Sequence, residues 1–332
     1  MRRAQRKAHA VRLSGYAAAL VLSVGAIHAA AAAEQQYPTR PIRIIALSSP
    51  ASGPDIVGRL IGQKFTEAWG QQVIVDTRPG ASGIIGAEIA SKAAPDGYTL
   101  MIVTSQAIIV SVMYEKLPYH LLKDFSAISM MASTPFILAV HPSVPATSIL
   151  ELVAYAKSKP GELRYGSGGA GSPPHLAAEM FKSMTGTSIL HVPYKGVTPA
   201  LMDTIAGQVQ MVFSVVPAIF SMMKSGKVKA LGVTSAKRTP LVPDLPTIAE
   251  SFPGYEFIGW YGLVAPAGTP AGILSKLNAE IAKILKTPEF QERLSSLGGE
   301  PISSTQQELA AYMQVQTEKM RKAVKDSGAH PD

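Results

Sequence analysis

Runs of apolar, β-branched residues alternate along the chain with stretches in which apolar residues recur three and four positions apart. The first pattern predicts strands, and the second predicts helices that bury one face. Strands are predicted at residues 42–47, 73–76, 99–103, 136–140, 163–165, 189–192, 210–215, 228–234 and 257–264. Helices are predicted at residues 55–66, 83–92, 149–158, 175–184, 199–206 and 271–286, with a helical C-terminal part at 288–325. This alternation predicts an α/β fold with mostly parallel sheets covered by helices on both faces.

Proline- and glycine-rich segments lie where predicted strands lead into helices, at residues 49–55, 78–83, 166–174 and 192–196. In open α/β sheets, ligands bind outside the carboxyl ends of the strands. Helix N-termini at these ends present unpaired N–H groups and a partial positive charge, which attract anions. The sequence therefore predicts an anionic ligand that is bound largely by the backbone of several loops.

The first 33 residues have the pattern of a secretory signal peptide. They carry Arg2, Arg3, Arg6, Lys7 and Arg12 but no acidic residue, and an apolar run follows at 13–27. The small residues at 31–33 form a suitable cleavage site. The run is shorter than the roughly 20 residues that a membrane span needs, so cleavage is expected in place of a membrane anchor. We predict a mature, exported chain that begins at Glu34 and resides in the periplasm.

Most of the positive net charge of the chain lies in this segment. The 332-residue chain has 31 basic and 23 acidic residues and a formal charge of +8, which by itself suggests a nucleic-acid or membrane partner. Removal of the signal segment leaves 26 basic residues against 23 acidic ones, a charge of +3. A nucleic-acid partner is therefore not expected. The chain has no cysteine, which excludes disulfides, thiolate metal sites and thiol nucleophiles.

Several catalytic and cofactor motifs are incomplete. Residues 166–171 match GxGxxG, but the next predicted strand is not followed by the acidic residue that a dinucleotide site requires. No serine lies in a GxSxG elbow, and the histidines lack HExxH spacing. The sequence predicts no cofactor, no metal and no catalytic residue.

Segments along the whole mature chain carry a family resemblance. They include YPTRPIRII at 37–45, DTRPGASGIIGAEIASKAAPDGYTL at 76–100, LRYGSGGAGSPPHLAAEMFKSMTG at 163–186 and HVPYKGVTPALMDTIAGQVQMVF at 191–213. Their order and coverage resemble the substrate-binding proteins of tripartite tricarboxylate transporters, the Bug (Bordetella uptake gene) or TctC family. The resemblance implies a two-lobed, type II-like periplasmic binding protein whose lobes close on a ligand in the cleft between them.

The resemblance also implies domain limits, a ligand class and partners. Lobe 1 is expected at residues 34–140 and 256–332, and lobe 2 at 141–255. The expected ligand is a small carboxylate, either a di- or tricarboxylate or an aromatic acid. The expected partners are the membrane subunits of a tripartite tricarboxylate-type transporter, and the protein is expected to be a monomer.

Position within the family motifs implies a set of ligand-binding residues. The first-lobe loop contributes Pro50, Ala51, Ser52, Gly53 and Asp55, and the second-lobe loop contributes Ser167, Gly168, Gly169 and His175. Ser105, Gln106, Tyr194, Lys195 and Gly196 are expected to flank the cleft. Apart from the family motifs, Ser214 is a candidate hydroxyl donor, and Trp260, on the strand that returns to the first lobe, is a candidate cleft wall.

The residues themselves leave some of these roles open. Asp55 can cap a helix or shape the ligand loop, Lys195 can pair with a carboxylate or remain solvated, and Trp260, beside Tyr261, can be core or cleft wall. Two positions depart from the family pattern: Ser52 replaces a glycine, and Ser214 occupies a position that is commonly acidic. A serine at position 214 cannot supply a negative charge to pair with the ammonium group of an amino acid. The sequence therefore favours a carboxylate ligand that has no ammonium group.

The exported, carboxylate-binding chain predicted from the sequence is also compatible with two other functions. A sensor module would bind a carboxylate and dock a receptor kinase, and a periplasmic enzyme would turn the acid over on a related scaffold. The enzyme would need an acid/base pair or a nucleophile, for which the loops offer only Asp55, His175 and Lys195.

Overall fold

A computed structural model describes residues 37–48, 50 and 52–327. The predicted signal peptide, its cleavage site and Ala51 lie outside these residues. The strands are β1 (Ile42–Ala46), β2 (Val73–Thr77), β3 (Thr99–Thr104), β4 (Phe125–Val140), β5 (Arg164–Ser167), β6 (Leu190–Pro193), β7 (Met211–Val215), β8 (Lys229–Val233), β9 (Ile258–Pro266) and β10 (Glu300–Pro301). The helices are α1 (Gly53–Trp69), α2 (Ile84–Ser91), α3 (Ser105–Met113), α4 (Ile149–Ser158), α5 (Pro173–Thr185), α6 (Val197–Ile205), α7 (Val216–Lys224), α8 (Ile248–Ser251), α9 (Ala271–Ile284), α10 (Pro288–Ser296) and α11 (Gln306–Ser327), with a 3₁₀ turn at Ala81–Gly83.

The long strand β4 joins two sheets. Its residues 125–135 pair with β9 in a sheet of order β2-β1-β3-β9-β4, to which β10 is added. Its residues 136–140 pair with β7 and β8, and β7 continues through β5 to β6. We call the first sheet with its helices lobe 1 and the second lobe 2. The two-lobed α/β fold expected from the sequence is confirmed.

Most strands of each lobe run in one direction, as predicted. In lobe 1, β1, β2, β3 and β4 share a direction, whereas β9 and β10 oppose it. In lobe 2, β5, β6, β7 and β8 share a direction and β4 opposes them. Strand β4 extends from lobe 1 into lobe 2, and the chain returns from lobe 2 to lobe 1 at the start of β9, beside the middle of β4. We call β4 and β9 the crossing strands.

Each predicted strand and helix overlaps an observed one, but some elements were not predicted. The predicted strand 136–140 is only the end of β4, whose first part carries polar residues that interrupt the apolar run. Helix α3 is rich in isoleucine and valine, which favour strands, and its buried position overrides that preference. The predicted C-terminal helical part is interrupted, because Gly298, with φ +70°, ends the turn after α10 and β10 then pairs with β4.

Helix α11 packs against both lobes. It contacts α3 in lobe 1, β4 in between and α5 in lobe 2, and its buried Leu309, Met313 and Met320 belong to a hydrophobic cluster that extends through both lobes. Among the helices of the described residues, none has the length and apolarity required to cross a bilayer. The residue limits expected for the two lobes stay a prediction.

Candidate functional site

A cleft of about 430 Å³ lies between the lobes at the carboxyl ends of their parallel strands. Lobe 1 contributes polar side chains from the loops after β1 and β2 and from the start of α3: Ser48, Ser52, Ser82, Thr104, Ser105 and Gln106. Lobe 2 contributes Pro173, Pro174, Val197 and Val215, and the crossing strands contribute Thr134, Phe136, Gly259 and Tyr261. The volume lies within the range of small-molecule sites.

The loop after β1 brings two hydroxyl groups together. Ser48 Oγ and Ser52 Oγ share a hydrogen bond of 2.6 Å, and both residues line the cleft. Ser52 is the N-cap residue of α1, with φ −78° and ψ 164°, but its side chain does not cap the helix. The Ser52 hydroxyl thus faces the cleft instead of satisfying the helix. Pro50, in the same loop, is exposed and lies outside the cleft lining.

The predicted loop residue Asp55 has an ion-pair partner. Its carboxylate is 2% exposed, and Arg59, one turn later on α1, donates to Oδ2 from Nε at 3.1 Å and lies 2.9 Å from Oδ1 through Nη2. Asp55 does not line the cleft. Asp55 is the third residue of α1, so its negative charge also interacts favourably with the positive end of the helix dipole. The geometry therefore supports a role in shaping the loop.

The turn that carries Ser82 has an unusual backbone. Gly80, Ala81, Ser82 and Gly83 have φ angles of 116°, 45°, 54° and 93°. Alanine and serine rarely adopt positive φ, so the turn stores strain of a kind that is concentrated at functional sites. This segment is one of the predicted loops at strand ends, but Ser82 was not among the predicted binding residues.

An ion-pair cluster holds the start of the same segment. Arg43 Nε donates to Asp76 Oδ2 at 2.8 Å, and Arg78 Nε donates to it at 3.0 Å. Partial burial raises the pKa of Asp76, but the bonds from Arg43 and Arg78 outweigh it and hold the pKa below its ordinary value. Asp76 thereby ties the end of β2 to β1 and to the loop that leads to Ser82.

Helix α3 begins at the cleft. Thr104 is its N-cap, and the Thr104 hydroxyl accepts from the Ala107 N–H at 3.3 Å. The two residues between them, Ser105 and Gln106, line the cleft, as does Ala107. The first N–H groups of a helix have no partner within it and carry a partial positive charge. This helix start therefore offers an anion both N–H groups and polar side chains.

The adjacent aromatic residues of β9 face opposite ways. Tyr261 lines the cleft, and its hydroxyl is in hydrogen-bonding contact with Thr134. Burial raises the Tyr261 pKa, so the phenol stays protonated and can donate. Trp260 is 1% exposed, packs edge-on against Tyr312 at 5.4 Å and lies outside the cleft lining. Because successive side chains of a strand point to opposite faces, only one of the two residues can face the ligand. The prediction that Trp260 forms the cleft wall is therefore wrong, and Tyr261 lies there instead.

The second-lobe loop is organised around Ser167. Its hydroxyl accepts from the Gly169 N–H at 3.1 Å and shares a hydrogen bond of 2.6 Å with His191 Nε2. His191 in turn stacks on His175 at 4.2 Å between ring centroids. His175 Nδ1 accepts from the Gly171 N–H at 2.9 Å. Ser167 is fully buried and His175 is 5% exposed, and both lie outside the cleft lining, so they shape the loop.

The predicted residues Gly168, Tyr194, Lys195 and Gly196 of lobe 2 also lie outside the cleft lining. Gly168 packs against the start of α6 at Val197, which itself lines the cleft. Tyr194 donates a hydrogen bond to Asp203 Oδ2 at 2.7 Å. Burial is the larger cause, and this hydrogen bond the second, that together raise the Tyr194 pKa to about 12. Lys195 is exposed and Gly196 is the N-cap of α6.

Ser214 is fully buried within β7, and its Oγ has no hydrogen-bond partner among the described residues. Neighbouring Val215, where β7 ends, lines the cleft. The serine at this commonly acidic position is therefore placed in the interior of lobe 2 instead of at the cleft surface.

Of the predicted residues, the structure brings Ser52, Ser105 and Gln106 together at the cleft. Ser48, Ser82 and Thr134 were not predicted, although Ser82 carried a signal as a non-glycine inside a glycine-rich turn. Tyr261 was considered beside Trp260 as core or cleft wall but was not included among the predicted site residues. None of the described residues that line the cleft is charged. Within the described parts of the chain, no cluster of three or more His, Cys, Asp or Glu side chains is arranged to hold a metal ion.

Comparison with protein families and relatives adds independent findings. A family model described as "Tripartite tricarboxylate transporter family receptor" matches residues 57–329. Protein BugT of Bordetella pertussis is 32% identical over 305 residues, which cover 91% of this chain and 93% of BugT.

Solved structures share the fold. The R. palustris protein Rpa4515 with adipate superimposes with a TM-score of 0.76 at 35% identity, covering 89% of this chain and all of that one. MatC from Rhodopseudomonas palustris with bound malate gives a TM-score of 0.72 at 28% identity, covering 87% of this chain and all of that one.

Proposed function

Because the chain belongs to the tripartite tricarboxylate transporter receptor family, we propose that it is a periplasmic solute-binding protein that captures a small carboxylate for the membrane subunits of such a transporter. The observation that carries the proposal is the cleft between the lobes, where hydroxyl groups and the start of α3 converge. Adipate and malate in two structural relatives support the ligand class.

The cleft binds a carboxylate through neutral donors. Ser48, Ser52, Ser82 and Ser105 supply hydroxyl groups, and the start of α3 supplies N–H groups and a partial positive charge. A hydrogen bond to a charged group contributes about 1.5–3 kcal/mol. A few such bonds support micromolar affinity, which corresponds to about 8 kcal/mol.

Lobe closure uses the crossing strands as the hinge and completes the site. The lobes contact each other at two further places: Gly171 lies against Met113 of α3, and Gly298 lies against Pro217 at the start of α7. Thr239 donates to Glu300 across the lobes. Closure removes water from the bound carboxylate and strengthens its hydrogen bonds.

Binding without turnover is the chemistry that this cleft favours. Its described lining holds no His, Asp, Glu or Lys, and Tyr261 is its one titratable group among those residues. The candidates for an acid/base pair, Asp55 and His175, are engaged with Arg59 and Gly171 behind the surface.

A thermal-shift screen of the protein from Glu34 onward tests the proposal, with di-, tri- and monocarboxylates and with the neutral amide of each acid as control. A ligand at 100 times its dissociation constant stabilises the fold by about 2.7 kcal/mol. We expect some acids, and none of the amides, to raise the melting temperature. If no carboxylate raises it, the proposed ligand class is wrong.

Two further measurements address export and oligomeric state. N-terminal sequencing of the periplasmic protein should begin at Glu34, and a larger mature protein contradicts cleavage there. Light scattering should give the mass of a monomer. Loss of uptake of the bound acid on deletion of the gene, with no change in a kinase response, distinguishes transport from sensing.

A further inference from the structure

The cleft is polar on one side only. Every hydroxyl and amide side chain that lines it belongs to lobe 1 or to the crossing strands β4 and β9. The four lining residues of lobe 2, Pro173, Pro174, Val197 and Val215, are all apolar. Phe136 lies on β4 where it enters lobe 2 and extends this apolar wall.

Several groups of lobe 2 that could donate hydrogen bonds are absent from the cleft surface. Pro173 and Pro174 occupy the first two positions of α5, where they remove two N–H groups that other helices present to an anion. The hydroxyls of Ser167 and Ser214 are fully buried and lie outside the cleft lining. The side chains that lobe 2 turns towards the ligand are therefore all apolar.

The charged side chains of the neighbouring loops do not line the cleft. Asp55 pairs with Arg59, while Lys195 is exposed and outside the lining. One carboxylate can be satisfied by the helix start and hydroxyls of lobe 1. A second carboxylate, directed at lobe 2, would lose its hydration without a polar side chain to replace it, which is costly.

We propose that the ligand is an amphipathic monocarboxylate, whose single carboxylate binds lobe 1 and whose aliphatic or aromatic body packs against Phe136, Val197 and Val215. The inference rests on the proposed function and narrows its ligand class. It predicts that a second carboxylate at the far end of the ligand weakens binding.

Isothermal titration with two matched pairs of acids tests this preference: hexanoate against adipate, and 4-methylbenzoate against terephthalate. Within each pair the carbon skeleton is retained and only the second carboxylate differs. We expect the monocarboxylate of at least one pair to bind roughly tenfold more tightly or better, the scale of one unpaired polar group. If both dicarboxylates bind as tightly as their partners or more tightly, the inference is wrong while the proposed function stands. If no acid in this set or in the wider screen binds, the proposed function itself fails.

A charge added to the lobe 2 wall provides a second, independent test. Val197 is half-buried at the start of α6, and Val197→Arg places a cation opposite the polar side of the cleft. Met202→Arg adds the same charge to an exposed position of the same helix, outside the lining. We expect Val197→Arg, but not Met202→Arg, to shift the affinity ratio towards the dicarboxylate by about tenfold or more. An unchanged ratio in a folded Val197→Arg protein, checked by circular dichroism, overturns the inference.

Discussion

The hydroxyl of Tyr261 lies against the Cα of Gly53, where the return strand β9 meets the start of α1. A Cβ at residue 53 would clash with Tyr261 Oη and lie 3.1 Å from Cζ. Gly53 is therefore required by the approach of a side chain that lines the cleft. The pair joins the loop after β1, which sequence analysis selected, to a residue that it did not select.

This contact predicts coupling between two substitutions. Gly53→Ala should destabilise the fold by about 1–3 kcal/mol through overpacking, and Tyr261→Phe, which removes the hydroxyl, should reduce that cost. A double-mutant cycle measured by urea denaturation gives the coupling energy. Strictly additive effects would show that residue 53 and the hydroxyl do not press on each other.

Substitutions of the two neighbouring aromatic residues of β9 should have different effects, one mainly on the stability of the fold and the other mainly on acid binding. Trp260→Phe should lower the free energy of unfolding by about 1–3 kcal/mol, because Trp260 packs in the core against Tyr312, and should leave acid affinity unchanged. Tyr261→Phe should weaken binding of the tightest acid of the screen, with a smaller effect on stability. Calorimetric titration and urea denaturation of both variants check this. Equal affinity losses would contradict the opposite orientation of the two rings.

Two serines of α3 form a matched pair for the carboxylate site. Ser105 lines the cleft, whereas Ser111 donates to the Ile108 carbonyl at 2.7 Å and lies outside it. Ser105→Ala should weaken binding of the acid by about 10- to 100-fold, the value of one hydrogen bond to a charged group. Ser111→Ala should leave affinity unchanged. An unaffected Ser105→Ala protein would exclude that hydroxyl from the site.

Two serines of the second-lobe loop should differ in their effect on stability. Ser167 bonds Gly169 and His191, whereas the buried Ser172 Oγ has no hydrogen-bond partner among the described residues. Ser167→Ala should cost about 1–3 kcal/mol because it removes the hydrogen bonds that a fully buried hydroxyl makes with Gly169 and His191. Ser172→Ala should be neutral or stabilising. Thermal unfolding of both variants makes the comparison, and a larger cost at Ser172 would contradict the hydrogen-bond arrangement.

The Asp76 cluster predicts a pH dependence of stability. Because the folded-state pKa of Asp76 lies below its ordinary value, the carboxylate stabilises the fold above about pH 4. That contribution is lost as the pH falls through the folded-state pKa. Asp76→Asn should therefore reduce stability at pH 7 by about 1 kcal/mol or less, since the pair is partly exposed, and have a smaller effect at pH 2.

Urea denaturation at both pH values checks this dependence, with Asp244→Asn, at an exposed position, as the control. A loss of stability at Asp76 that is equal at pH 7 and pH 2 would contradict the role of the ion pairs.

Much of the fold is determined by sequence alone, because it rests on local patterns. Hydrophobic periodicity depends on neighbouring residues, so helices such as α1 and strands such as β1 are predicted to within a few residues. Family motifs over the mature chain also identify the two-lobed class. The loops at strand ends follow from the same reasoning, since proline and glycine mark the turns where the strands end.

Which side chains of those loops meet at the cleft was decided by tertiary structure. Strand alternation puts Trp260 and Tyr261 on opposite faces of β9 but does not say which face meets the ligand; packing of Trp260 against Tyr312 of α11 decides it. Ser167 and Ser52 have the same chemistry, yet one is bonded to His191 in the interior and the other faces the cleft. The apolar side of the cleft also exists only once Val197 and Val215, distant from lobe 1 in sequence, lie opposite its hydroxyls. The chain thus carries the donors in its local sequence, but their convergence depends on long-range packing of the two lobes.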